Sequence, residues 1–171
     1  MLSSKRCIFI LGRQVGKDFC LSCFVVWKCI TSPNEKIILV SPAQRQSELL
    51  YNRILELIGS SNELFDSIEK SNAEMCRFSN CSEVYSLPST GHIRGFTEVT
   101  YAILNESCWG IPDEVFASVE PMLAVKNGAL VCVSSPSSCI GKTWEYFNNP
   151  RTTSPPCPWP PARPARRPRC P

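Results

Sequence analysis

The chain has 171 residues, 43% hydrophobic and 19% charged, an ordinary balance for a folded domain with one sizeable core. Its net charge of +3 is uneven: five of the 18 basic residues and no acid lie in 151–171, so the remaining 13 face 15 acidic residues and the body carries −2. That gives no electrostatic ground for nucleic-acid binding by the body, and no apolar run approaches the ~18 residues of a membrane span or has the form of a signal peptide.

Taken in order, "RCIFILG" (6–12) is a short apolar run closing on glycine and predicts a buried strand. Residues 17–30 carry apolar side chains at helical spacing, and "KIILVS" (36–41) predicts a second buried strand. In "PAQRQSELLYNRILELIG" (42–59), Leu49, Leu50, Ile54, Leu57 and Ile58 form one stripe, with Ser41 as cap, Pro42 in the first turn and Gly59 at the end. "AEMCRFSN" and "SEVYSLP" alternate and predict a hairpin turning near Asn80. "VTYAILNES" predicts a third buried strand, "PDEVFASVEPMLAV" a helix opened by Pro112 and Asp113, "GALVCVSSP" a fourth buried strand and "GKTWEYFNN" a short helix.

Apolar strands alternating with helices indicate an α/β fold of three layers around a mostly parallel sheet. Ligands of such sheets bind beyond the carboxyl ends of the strands, here the loops after Leu11, Leu104 and Val133. Residues 150–171 hold nine of the fifteen prolines and no periodicity, which predicts a disordered Pro/Arg-rich tail. That tail reads as a non-native extension, such as a frameshifted end, with a phosphate-touching polybasic arm as the alternative. The eleven cysteines include one C-x-x-C, Cys20 to Cys23, and His92 is the lone histidine, so free, mostly buried thiols in a reducing compartment are expected rather than a zinc site.

The loop Gly12-Arg13-Gln14-Val15-Gly16-Lys17-Asp18 lies between a predicted strand and a predicted helix. In that setting successive backbone N–H groups and the helix dipole cradle phosphates, Gly16 permits close approach and Lys17 supplies a point charge. The spacing is one residue shorter than G-x-x-x-x-G-K, and Asp18 stands where a magnesium-binding hydroxyl is usual. "YAILNE" then ends on Asn105-Glu106, where a phosphate-loop enzyme places one carboxylate for the magnesium shell and one to polarise water. Glu106 fits the second role, and Asn105 takes the first without the charge. Ser134 and Ser135 close another strand and are able to hydrogen-bond a γ-phosphate. A rival loop, "PSSCIGKT" (136–143), ends in Gly-Lys-Thr but no acidic strand follows it. Glu114 and Glu120 read as solvated, His92 as a loop residue, and Trp27, Trp109 and Trp144 as packing residues, with Trp109 also a candidate lining residue beside Glu106.

In that order, "GRQVGK", "LVSPAQRQSELLYNRI", "HIRGFT", "AILNE", "IPDEVFASVEPMLA" and "ALVCVSSP" resemble the ATPase domain of bacteriophage terminase large subunits, the DNA-packaging motors of tailed phages. The resemblance spans roughly residues 6–148. It implies a phosphate-loop ATPase domain over 1–149, using ATP and magnesium in the host cytoplasm and acting on double-stranded DNA. The implied partners are a terminase small subunit and a portal, in a homo-oligomeric ring. On it, Lys17 binds phosphate, Arg13 stabilises γ-phosphate charge, Glu106 is the catalytic carboxylate and Ser134 to Pro136 couple hydrolysis to movement; the role of Arg94 in "HIRGF" stays open. Asp18 and Asn105 depart from the family, and the expectation is that they share the ion, Asn105 donating a hydrogen bond to Asp18. The family's upstream adenine-contacting segment and its C-terminal nuclease domain have no counterpart in the sequence. The alternative expectation is a truncated prophage remnant that binds nucleotide weakly or not at all.

Overall fold

A computed structural model describes residues 5–90, 93, 95–137 and 140–149. The predicted tail at 150–171, His92, Arg94, and Ser138 and Cys139 of the rival loop lie outside the described residues. The elements are β1 (Lys5–Ile10), α1 (Lys17–Thr31), β2 (Lys36–Ser41), α2 (Gln44–Gly59), α3 (Asn62–Phe65), β3 (Ile68–Ser71), β4 (Met75–Phe78), β5 (Glu83–Pro88), β6 (Tyr101–Asn105), α4 (Asp113–Ala124), β7 (Ala129–Ser134) and α5 (Lys142–Asn148). They build a seven-stranded sheet in the order β1-β7-β6-β2-β5-β4-β3, parallel from β1 through β5 and antiparallel beyond.

Strand periodicity sorts side chains onto two faces. Ile37 and Leu39 of β2, Ile103 of β6 and Val131 and Val133 of β7 meet Leu21, Val25 and Val26 of α1 and Leu50, Tyr51, Ile54 and Ile58 of α2. Ile38, Val40, Ala102, Leu104, Leu130 and Cys132 face the other way, onto Val115, Phe116, Val119 and Leu123 of α4. Each such side chain, fully buried, contributes about 1.5–3 kcal/mol relative to exposure, which explains why the central strands read as unbroken apolar runs. Gly128, just before β7, is required by space: a Cβ there would stand 2.6 Å from the carbonyl oxygen of Val99 and 2.8 Å from that of Thr100.

The three-layer α/β expectation and the hairpin hold, with Cys81 at positive φ (65°) in the turn after Asn80. Several local expectations change. β1 is an edge strand among the described residues, not a buried one: Phe9 is 46% exposed. With α1, β1 and β7 it flanks an apolar groove of ≈ 680 Å³ lined by Cys7, Phe9, Leu11, Val15, Cys20 and Phe24 among others. Helix α2 starts after Ala43, which carries no side-chain cap, so Ser41 ends a strand instead of capping a helix. Leu49 is exposed, and Tyr51 takes its place in the stripe. The short α3 and β3 had no periodic signal. Glu120 is not a free surface acid: it pairs with Arg6 at 2.7 Å and accepts from the Tyr146 hydroxyl at 2.6 Å, tying α4 to β1 and α5. Cys29, Cys76 and Cys132 are buried while Cys7, Cys20 and Cys81 are exposed, so burial is not the general state of the thiols. Trp27, Trp109 and Trp144 are each at least 40% exposed. No helix among the described residues is long and apolar enough to cross a membrane.

Candidate phosphate-binding site

Parallel register carries the carboxyl ends of β1, β7 and β6 to one rim, with Ile10 opposite Ser134 and Val133 opposite Asn105. The loop after β1 enters α1 through Gln14 at φ 59° and Gly16 at φ 83°, a left-handed step that glycine makes without cost. Gly16 caps α1 without a side-chain acceptor. Among the described residues no protein acceptor meets the backbone N–H groups of Gly12, Arg13, Gln14, Val15 or Gly16, so the loop offers unpaired donors beside the positive end of a 15-residue helix.

Lys17 and Glu106 meet directly, Nζ to Oε1 at 2.7 Å, with the side chains 11% and 20% exposed. The other carboxylate oxygen, Oε2, accepts from the Ser135 N–H at 3.2 Å and the Ser134 hydroxyl at 3.3 Å. Ser134, which ends β7, and Ser135 just after it thus orient Glu106. Burial pushes the Glu106 carboxyl up, but the Lys17 hydrogen bond and charge, with the Ser135 and Ser134 donors, outweigh it and hold the carboxyl below its ordinary range. Glu106 sits at φ 54°, a conformation rare outside glycine, and the turn it begins closes through the Trp109 N–H on the Glu106 carbonyl at 2.8 Å.

Asp18 lies in the first turn of α1, Oδ1 3.7 Å from the Lys17 ammonium. That oxygen is buried without a hydrogen-bond partner, and so is Oδ1 of Asn105, a residue 4% exposed at the end of β6. No hydrogen bond joins Asp18 to Asn105, so the direct pairing expected from the sequence is not formed. Two orphaned, hard oxygens at one rim fit a divalent cation such as magnesium. Ser41 extends the pattern. It ends β2 one residue past the Val40–Leu104 pair, beside Asn105, and its buried hydroxyl also lacks a partner. Sequence reasoning assigned Ser41 to a helix cap; its position at the end of an apolar strand was the available signal. Arg13 is exposed, its guanidinium 5.4 Å from the centre of the Trp109 ring.

The described end of the rival loop, Lys142 and Thr143, is engaged in contacts of its own. Asp113 Oδ1 accepts from the Lys142 N–H at 3.2 Å, the Lys142 ammonium pairs with Glu145 at 2.7 Å, and the Thr143 hydroxyl is buried on the Ser107 carbonyl at 3.1 Å.

No family model matches the sequence. The chain is similar to the terminase large subunit of Thermus phage G20c, 26% identical over 164 aligned residues that take in 84% of this chain and 33% of the relative. The terminase large subunit of Thermus virus P23-45 matches to the same extent; the chain spans about a third of the length of these curated relatives. Its fold matches that of the large terminase ATPase domain of Thermus phage P74-26, with a TM-score of 0.71 at 23% identity over 86% of this chain and 65% of the other. It also matches the large terminase of a thermophilic bacteriophage solved in complex with ATP-γ-S, with a TM-score of 0.62 at 13% identity over 80% of this chain and 34% of the other. The resemblance to phage large terminase ATPase domains therefore holds in sequence and in fold.

Proposed function

We propose that the chain is the ATP-binding and ATP-hydrolysing domain of a phage terminase large subunit, powering translocation of double-stranded DNA. The observation that carries the reading is the meeting of Lys17, at the mouth of an unpaired backbone cradle, with Glu106 at the end of β6. In the resting site each neutralises the other. An incoming triphosphate competes for Lys17, and its β- and γ-phosphates take the N–H groups of residues 12–16. Glu106 is then released to act while Ser134 and Ser135 keep it aimed. The carboxylate accepts a proton from a water as the water oxygen bonds to the γ-phosphorus and the bond to the β-γ bridging oxygen breaks, leaving ADP and phosphate. Arg13 supplies a second cation to the γ-phosphate. Magnesium would be held by Asp18 and Asn105, with Ser41 close by, and when bound it offsets phosphate charge.

Double-stranded DNA, a small subunit, a portal and a ring of copies are the partners this reading entails. The test is magnesium-dependent release of phosphate from ATP, lost in both Lys17→Ala and Glu106→Gln. Turnover that survives either substitution sinks the assignment. Asp18 and Asn105 favour a second reading, a prophage remnant that binds nucleotide weakly or not at all, without turnover; absence of phosphate release from the unaltered chain selects it.

A further inference from the structure

We propose that the indole of Trp109 is the resting platform of Arg13, and that a bound nucleoside triphosphate draws the guanidinium off it. The inference rests on the nucleotide-site reading above and deepens it by naming the residue that positions the mobile cation. Trp109 is 43% exposed at the mouth of the site, yet the residue is held at two points, one on the ring and one on the backbone. Its Nε1–H donates to the Ser135 carbonyl at 3.1 Å, and its backbone N–H donates to the Glu106 carbonyl at 2.8 Å. Arg13 has neither a hydrogen bond nor an ion pair among the described residues; its guanidinium rests over that ring, 5.4 Å from the centre.

The partition of acids explains why it stays there. Glu106 is already engaged by Lys17, Ser134 and Ser135, and Asp18 lies 3.7 Å from the Lys17 ammonium, which leaves the aromatic face as the contact that Arg13 makes among the described residues. An exposed cation–π contact favours the parked state by only about two- to five-fold. A γ-phosphate carrying two negative charges overrides that easily. The platform therefore holds Arg13 beside the site and weakens nucleotide binding by no more than that two- to five-fold. Trp109 acts through Arg13, as a positioning residue. Ser135 joins the two halves of the device, since its carbonyl fixes the indole and its N–H fixes the catalytic carboxylate.

The experiment uses the full chain with magnesium and the β,γ-imido analogue of ATP. Trp109 emission is isolated as the difference between the unaltered protein and Trp109→Phe, which removes the background of the other tryptophans. A fluorescent N-methylanthraniloyl nucleotide reports binding independently. The analogue should change the Trp109 signal in the unaltered protein and leave it unchanged in Arg13→Ala at concentrations raised until the fluorescent nucleotide shows the site saturated. Trp109→Ala lacks the contact that the bound state must break and should bind the fluorescent nucleotide about two- to five-fold more tightly, with Trp109→Phe restoring the ordinary affinity. A silent Trp109 when nucleotide is bound, a signal that persists in Arg13→Ala, or an unchanged or weaker nucleotide affinity in Trp109→Ala overturns the proposal. If the fluorescent nucleotide does not bind the unaltered chain, the nucleotide-site reading falls and takes this one with it.

Discussion

Replacing Glu106 by glutamine should split binding from turnover in opposite directions. The Lys17–Glu106 pair is 2.7 Å long, between side chains only 11% and 20% exposed. At an effective dielectric constant of ~20, unit charges about 4 Å apart attract by about 4 kcal/mol, and desolvation of the two ions takes back much of that. A hydrogen bond to a charged group nets about 1.5–3 kcal/mol. Glutamine keeps the shape but loses the charge and offers one acceptor oxygen where the carboxylate uses two, one for Lys17 and one for Ser134 and Ser135, so about 1–2 kcal/mol of that attraction becomes available to the phosphates. Nucleotide should then bind about 5–30-fold more tightly, while loss of the base lowers turnover by about 10²–10⁴-fold. Calorimetric titration with ATP and magnesium measures the first effect, and single-turnover phosphate release the second. Equal or weaker binding in Glu106→Gln, with the circular dichroism spectrum unchanged, would refute the competition for Lys17.

Asp18→Thr and Asn105→Asp form a cycle with their double change: if the two oxygens share one cation, their effects on magnesium-supported ATP turnover are coupled, whereas additive effects mean that each acts alone. Omitting magnesium should weaken ATP binding in the unaltered chain more than in Asp18→Thr, measured by titration in chelator, because the Asp18 carboxylate then opposes the phosphates unscreened. The pH profile follows from the lowered carboxyl of Glu106: its stabilisation is complete above the unfolded value of about 4.3 and is lost as pH falls through the lower folded value. Thermal midpoints taken from pH 6 to pH 3 should therefore fall further in the unaltered protein than in Glu106→Gln. Gly128→Ala drives a methyl group into two backbone carbonyls and should cost about 1–3 kcal/mol in denaturant unfolding.

The layered fold was legible because its central strands announce themselves. "KIILVS" and "ALVCVS" are apolar on both faces, as strands covered on both sides must be. β1 misled for the same reason: "RCIFI" has the same composition, but Cys7 and Phe9 point to an open groove, and composition alone does not tell a central strand from an edge. α3 and β3, four residues each, are too short to show a period and are set by contacts with α2 and β4. Within the site, the nearness of Lys17 to Glu106 followed from loop and strand-end logic. The role of β7 did not. Without a ligand, Ser134 and Ser135 hold the carboxylate, since a side chain's partner depends on register between strands distant in sequence. Ser41 likewise acquired its place only through tertiary contact, and the contact of Trp109 with Arg13 did too.

A strand with a single neighbour is easily peeled. β1 bears the loop that would grip the triphosphate, yet among the described residues its ladder is with β7 alone, and the loop's first residue, Leu11, donates its N–H to Ser134 at 2.9 Å. Local fraying there would disassemble the cradle and leave the interior of the sheet closed. A ligand spanning cradle and β7 acts as a clasp on that seam, so amide protons of residues 6–11 should exchange more slowly once it is in place, while those of β2 stay as they were.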